Sequence, residues 1–123
     1  MNNPLVKPLQ SDDKELNKLI KFYNETLGFC PNSIKTMFIR PQIAYAFINL
    51  NKAVMENKGN LSSKIKRLIG YLASTVSGCR YCQAHTIRAA ERYGSDDKQL
   101  NEIWDFRKST AFSKKEKIAF EFA

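Results

Sequence analysis

An all-α fold, a single-domain bundle of about six to seven helices, is what this sequence predicts, and three observations carry the prediction. Apolar residues make up 43% of the 123 residues while glycine and proline number only five and four, a composition too rich in core material for a disordered chain and too poor in turn residues for an all-β protein. Apolar side chains recur at three- and four-residue steps, the period of an amphipathic helix. The breaks between these runs carry helix-capping residues and single glycines. The length suits one domain with one core, and residues 1–123 are read as such.

The elements follow in order. Asp12 and Glu15 have the three-residue spacing of a capping box, and Leu16, Leu19, Ile20 and Tyr23 continue at helical spacing until Gly28. A short segment from Asn32 to Arg40 places Ile34, Met37 and Phe38 on one side, and Pro41 ends it and opens the next helix. That third helix is predicted to reach Lys58, with Ile43, Phe47, Leu50 and Val54 facing a core and Gly59 as its left-handed cap. Ser62 caps a fourth, whose Ile65, Leu68, Ile69, Leu72 and Val76 form the strongest stripe in the chain. Cys79 to Tyr93 reads as a fifth helix between Gly78 and Gly94, with Ile87 and Ala90 inward. Asp96 and Asp97 begin a sixth through Leu100, Ile103, Trp104 and Phe106. Ser113 and Glu116 form a capping box for a seventh, and its stripe of Ile118, Ala119 and Phe122 is still running at Ala123. This open stripe predicts either further chain or a core completed by oligomerisation.

The net charge of +8 raises the question of nucleic acid. Lys and Arg are scattered from Lys7 to Lys117 among acids, and the densest cluster, Lys64 to Arg67, is interrupted by Ile65 on a buried helix face. That pattern is a solvated surface, so no nucleic-acid partner is expected. No apolar segment approaches the roughly 18 residues of a membrane span, and no basic stretch leads into an apolar run at the start, so neither membrane insertion nor secretion is expected. Three cysteines, two of them close together, suit a reactive pair in the reducing cytoplasm better than a secreted disulfide framework.

Chemistry concentrates in Gly78-Cys79-Arg80-Tyr81-Cys82-Gln83-Ala84-His85. Cys79, Cys82 and His85, each three residues apart, share one face of a helix. The N-terminus of a helix lowers a thiol pKa, and the thiolate is the reactive form. His85, the one histidine of the chain, sits a turn beyond the thiols, where it can take the proton from Cys82. Two thiols at this spacing can close a disulfide, which supports peroxide reduction through a sulfenic acid or disulfide exchange. A zinc site would need a fourth ligand that the segment lacks, and a c-type haem would need histidine where Gln83 stands. The bland alternative makes both cysteines small buried hydrophobes. Cys30, between Phe29 and Pro31, reads as inert packing, and Arg80 is placed either to hold a thiolate or to be solvated.

These residues resemble the carboxymuconolactone decarboxylase family, in its alkylhydroperoxidase D-like (AhpD-like), peroxidase-related branch. The resemblance rests on Leu27-Gly28 with Pro31-Asn32, on Arg40-Pro41, on Leu61 to His85 with its Gly-Cys and its Cys-x-x-Cys followed by His, and on Phe112-Ser113 to Ala123. It implies an all-helical antioxidant enzyme without a cofactor, a trimer or hexamer of identical chains, and a thiol carrier such as a lipoyl domain as reductant. It further implies that Cys82 reacts with a hydroperoxide and Cys79 resolves it, with a histidine and a glutamate relaying the proton. Two departures stand out. Arg67, beside Lys66, occupies the place of the glutamate, and His85 follows Cys82 by three residues where the branch has four. The decarboxylases of the family lack the cysteine pair, which disfavours lactone decarboxylation here. The expectation is therefore hydroperoxide reduction through a Cys79–Cys82 disulfide. Its rivals are a thiol-disulfide reductase in which Cys79 attacks first, and a non-enzymatic oligomer that senses redox state.

Overall fold

The computed structural model describes residues 3–10 and 12–123, and every regular element among them is helical, as the sequence predicts. In order these are α1 (Lys14–Thr26), α2 (Asn32–Met37), α3 (Pro41–Met55), α4 (Ser63–Val76), α5 (Arg80–Arg92), α6 (Asp97–Glu102), a 3-10 turn (Ile103–Asp105) and α7 (Lys114–Phe122). The chain divides into two compact units, the first ending at Val54 and the second beginning at Met55. No helix among the described residues is long and apolar enough to cross a membrane.

In the first unit α1 is capped by Asp13, not by the expected Asp12: its carboxylate accepts the backbone N–H groups of Glu15 and Leu16. Leu16 is fully buried with Phe38 and Ala44, and a neighbouring cluster gathers Cys30, Ile34 and Ile48. Helix α3 corrects the sequence reading. Its buried residues are Ala44 and Ile48, whereas the predicted core stripe of Ile43, Phe47, Leu50 and Val54 is 42%, 44%, 64% and 52% exposed. At about 100° per residue, Ala44 and Ile48 lie roughly a quarter to a third of a turn away from that stripe. Two small turns of buried surface therefore anchor α3, and its most apolar face looks outward.

The second unit is built on the antiparallel pair α4 and α5. Ser62 accepts the N–H of Ile65 and caps α4 as predicted, and Ile65, Leu68 and Leu72 enter a core completed by Ala90, Ile103, Phe106, Phe112 and Phe120. Val76, at the end of the same stripe, is 82% exposed because α4 outlasts the core it packs on. Gly70 lets the two helices approach: a Cβ there would come within 3.2 Å of Thr86. The predicted sixth helix is shorter than expected, since α6 tightens into the 3-10 turn that buries Ile103 and delivers Phe106 to the core. Trp104, expected inward, is half exposed with its ring edge against Tyr71.

The capping box that opens α7 is present, Ser113 and Glu116 bonding reciprocally. Phe120 is the anchor of this helix, edge-on to Phe106 and Phe112. Ile118 and Phe122, of the stripe the sequence leaves open, are 61% and 95% exposed. A helix of nine residues has one row of contacts here, and Phe120 takes it.

Candidate active site

The turn between α4 and α5 places the two thiols. Gly78 holds φ +72°, a left-handed conformation that an L side chain enters only with strain, and it turns the chain so that Cys79 becomes the N-cap of α5. Nothing lies within 4 Å of a Cβ at Gly78, so the requirement is one of backbone conformation and not of space. Gln83 fastens the turn by donating its side-chain amide to the Ser74 carbonyl, and the Thr86 hydroxyl donates to the Cys82 carbonyl.

Cys79 and Cys82 are both free thiols, partly buried, with their sulfurs 2.8 Å apart. The Cys79 Sγ also accepts the Cys82 backbone N–H at 3.4 Å. Either thiol can donate across the gap between the sulfurs, but only Cys79 receives main-chain N–H groups. A thiolate therefore settles on Cys79. Its pKa is drawn below the ordinary thiol value by the Cys82 thiol hydrogen bond, then by the Cys82 N–H; burial opposes these, and the Tyr81 N–H adds the smallest lowering. The Cys82 pKa is raised, first by that hydrogen bond, then by burial and by the neighbouring charge of Cys79.

His85 lies one turn further along α5. Its Nδ1 is 2.7 Å from the Tyr81 carbonyl oxygen, and its ring stacks on that of Tyr81 with centroids 4.1 Å apart. Since a carbonyl only accepts, Nδ1 carries a proton, and in the neutral ring the basic lone pair belongs to Nε2, which is shielded from solvent. Tyr81 thus fixes the tautomer and plane of His85, a role that residue-by-residue reading missed although the i, i+4 spacing of the two rings was visible.

The structure brings the two sulfurs together and sends Arg67 elsewhere. Side chains on a helix lean toward its N-terminus, so Arg67 reaches along α4 to the far end of α5, its guanidinium 3.9 Å from the centroid of the Tyr93 ring. Tyr93 is the C-cap of α5 and Cys79 its N-cap, about 20 Å apart along a helix of this length. Arg67 acts on packing at that end and not on the thiols. Cys30 is buried in the first unit, and burial pushes its thiol pKa up, in keeping with an inert role. No group of three or more His, Cys, Asp or Glu side chains among the described residues is placed to hold a metal.

Residues 41–123, which contain the whole of this site, match the carboxymuconolactone decarboxylase family. The chain belongs to that family. Two solved structures of the debrominase Bmp8 extend the comparison for this family member. The apo form is 32% identical and a cysteine-to-alanine variant in complex with 2,3,4-tribromopyrrole is 31% identical, each with a TM-score of 0.82 over 98% of this chain. The chain spans 64% of the length of each Bmp8 chain. No curated protein matches it.

Proposed function

We propose that this family member is a dithiol oxidoreductase that reduces hydroperoxides by closing a Cys79–Cys82 disulfide. The observation that carries the reading is the pair of free sulfurs 2.8 Å apart at the N-terminus of α5. The pKa directions support Cys79 as the attacking thiolate and Cys82 as the resolving thiol, the order of the rival reductase reading in the sequence analysis.

The Cys79 thiolate attacks the outer oxygen of the hydroperoxide. The O–O bond breaks, an S–O bond forms, and the departing alkoxide takes the proton that the Cys79 thiol gave up, with His85 Nε2 as the suited carrier. The Cys82 sulfur then attacks the sulfenic sulfur, an S–S bond replaces the S–O bond, and hydroxide leaves as water with the proton from Cys82. Two thiols and one hydroperoxide become one disulfide, one alcohol and one water. A carrier dithiol restores the pair by exchange.

The likeness to the Bmp8 structures favours a second reading, reductive debromination. In it the Cys79 thiolate takes bromine from carbon, the carbanion takes a proton from His85, and Cys82 displaces bromide as the disulfide forms. The thiol bookkeeping is the same as for a hydroperoxide. Both readings are tested by treating the reduced protein with one equivalent of cumene hydroperoxide or of a brominated pyrrole and mapping the peptides. A 79 to 82 disulfide formed with alcohol release supports the first, and the same disulfide with bromide release supports the second. If Cys79→Ser and Cys82→Ser proteins consume either compound as fast as the parent, the dithiol mechanism is wrong.

A further inference from the structure

We infer that Gln83 is a positioning residue for the dithiol: it ties the start of α5 to the same carbonyl oxygen that holds the main chain of Cys79, and so keeps the two sulfurs in register. The inference deepens the proposed reaction and rests on the reading that Cys79 and Cys82 work as one pair.

Helix α4 ends in a Schellman closure. The Gly78 N–H donates to the Thr75 carbonyl at 3.0 Å, and the Cys79 N–H donates to the Ser74 carbonyl at 2.9 Å. Cys79 is thereby fastened to the end of α4 while it serves as the N-cap of α5. Cys82, in contrast, lies inside the first turn of α5 and moves with that helix. The two contacts that define the pair, sulfur to sulfur at 2.8 Å and the Cys82 N–H to the Cys79 sulfur at 3.4 Å, therefore span a joint between two helices.

A carbonyl oxygen has two lone pairs, and the Ser74 oxygen takes a second donor, the Gln83 Nε2 at 3.3 Å. One oxygen of α4 thus holds both sides of the joint, Cys79 through its own N–H and Cys82 through the side chain of the residue that follows it. Hydrogen bonds weaken steeply as they lose alignment. A joint free to hinge would lose the N–H contact that favours charge on Cys79 before it disturbed the core. Further along the pair, Gly70 against Thr86 and the buried Leu68, Leu72 and Ala90 hold α4 and α5 together without Gln83. Gln99 supplies a matched control: its Nε2 donates to the Ala111 carbonyl, also at 3.3 Å, from α6. A purely structural account treats the two glutamines alike.

The experiment carries Gln83→Leu, Gln83→Glu and Gln99→Leu, as reduced full chains, through two measurements. The first is alkylation of each cysteine by iodoacetamide as a function of pH. The second is closure of the 79 to 82 disulfide by oxidised glutathione, in which two protein thiols become one disulfide and one glutathione disulfide becomes two thiols. Gln83→Leu, with helicity unchanged by circular dichroism, is expected to move Cys79 labelling up by about half a pH unit or more and to slow closure by about 10-fold. Gln83→Glu is expected to move labelling further, because its carboxylate cannot donate and adds a negative charge next to Cys82 in the chain. Gln99→Leu is expected to leave both readouts at the parent values. A Gln83→Leu protein with the parent's pH profile and closure rate overturns the proposal, as does an equal shift in Gln99→Leu or a loss of helicity in Gln83→Leu. Neither measurement needs turnover: a parent that consumes neither hydroperoxide nor brominated pyrrole defeats the proposed reaction, while these outcomes still decide the role of Gln83.

Discussion

Helix α4 carries Ile65, Leu68 and Leu72 at 0%, 0% and 6% exposure, while α3 carries Ile43, Phe47, Leu50 and Val54 at 42%, 44%, 64% and 52%. In sequence both stripes read alike, as apolar residues at three- and four-residue steps bound for a core. Their difference lies in what stands opposite. Leu68 and its neighbours meet α5, the 3-10 turn and the aromatic cluster around Phe120. The burial that fixes α3 falls instead on Ala44 and Ile48, which meet α1 and α2 residues in the first unit. Periodicity shows that a face seeks apolar surroundings and does not show whether they belong to the same chain.

The contrast yields predictions of graded size. Leu68→Ala opens a cavity in a fully buried site and should lower unfolding free energy by about 2–5 kcal/mol in a denaturant titration. Gly78→Ala should cost about 1–2 kcal/mol through left-handed strain alone, since no neighbour obstructs the added methyl. It should also slow disulfide closure, because the same backbone turn presents Cys79 to the end of α5. Leu50→Ala, measured on dilute protein, should change stability by no more than about 0.5 kcal/mol, as befits an exposed side chain. A Leu50→Ala cost as large as that of Leu68→Ala would place the α3 stripe inside the folded chain and dissolve the comparison.

Much of the fold was legible. Ser62 and the Ser113–Glu116 box cap the helices they were expected to cap, because a side-chain oxygen beside unsatisfied N–H groups is a local matter. Asp12 and Asp13 are adjacent carboxylates with equal claims to a cap, and only the path of the incoming chain selects Asp13. Outward placement of Val76 and Trp104 was not legible, since it depends on where neighbouring helices end. In the site, the meeting of Cys79 and Cys82 followed from helical spacing. Which sulfur holds the charge did not: it depends on N–H groups of the first turn converging on the N-cap, a feature fixed by the turn at Gly78. The stacking of His85 on Tyr81 and the departure of Arg67 to Tyr93 depend on rotamers, which no spacing rule supplies.

The central claim is that α5 makes Cys79 the thiolate of the pair. It is tested most directly by alkylating the reduced protein with iodoacetamide over a series of pH values and quantifying each cysteine by peptide mapping. Cys79 has a lowered pKa and Cys82 a raised one, so at every pH Cys79 should label ahead of Cys82, and its labelling should fall off at a lower pH as the solution is made more acidic. Labelling of Cys82 ahead of Cys79 at neutral pH would contradict the account.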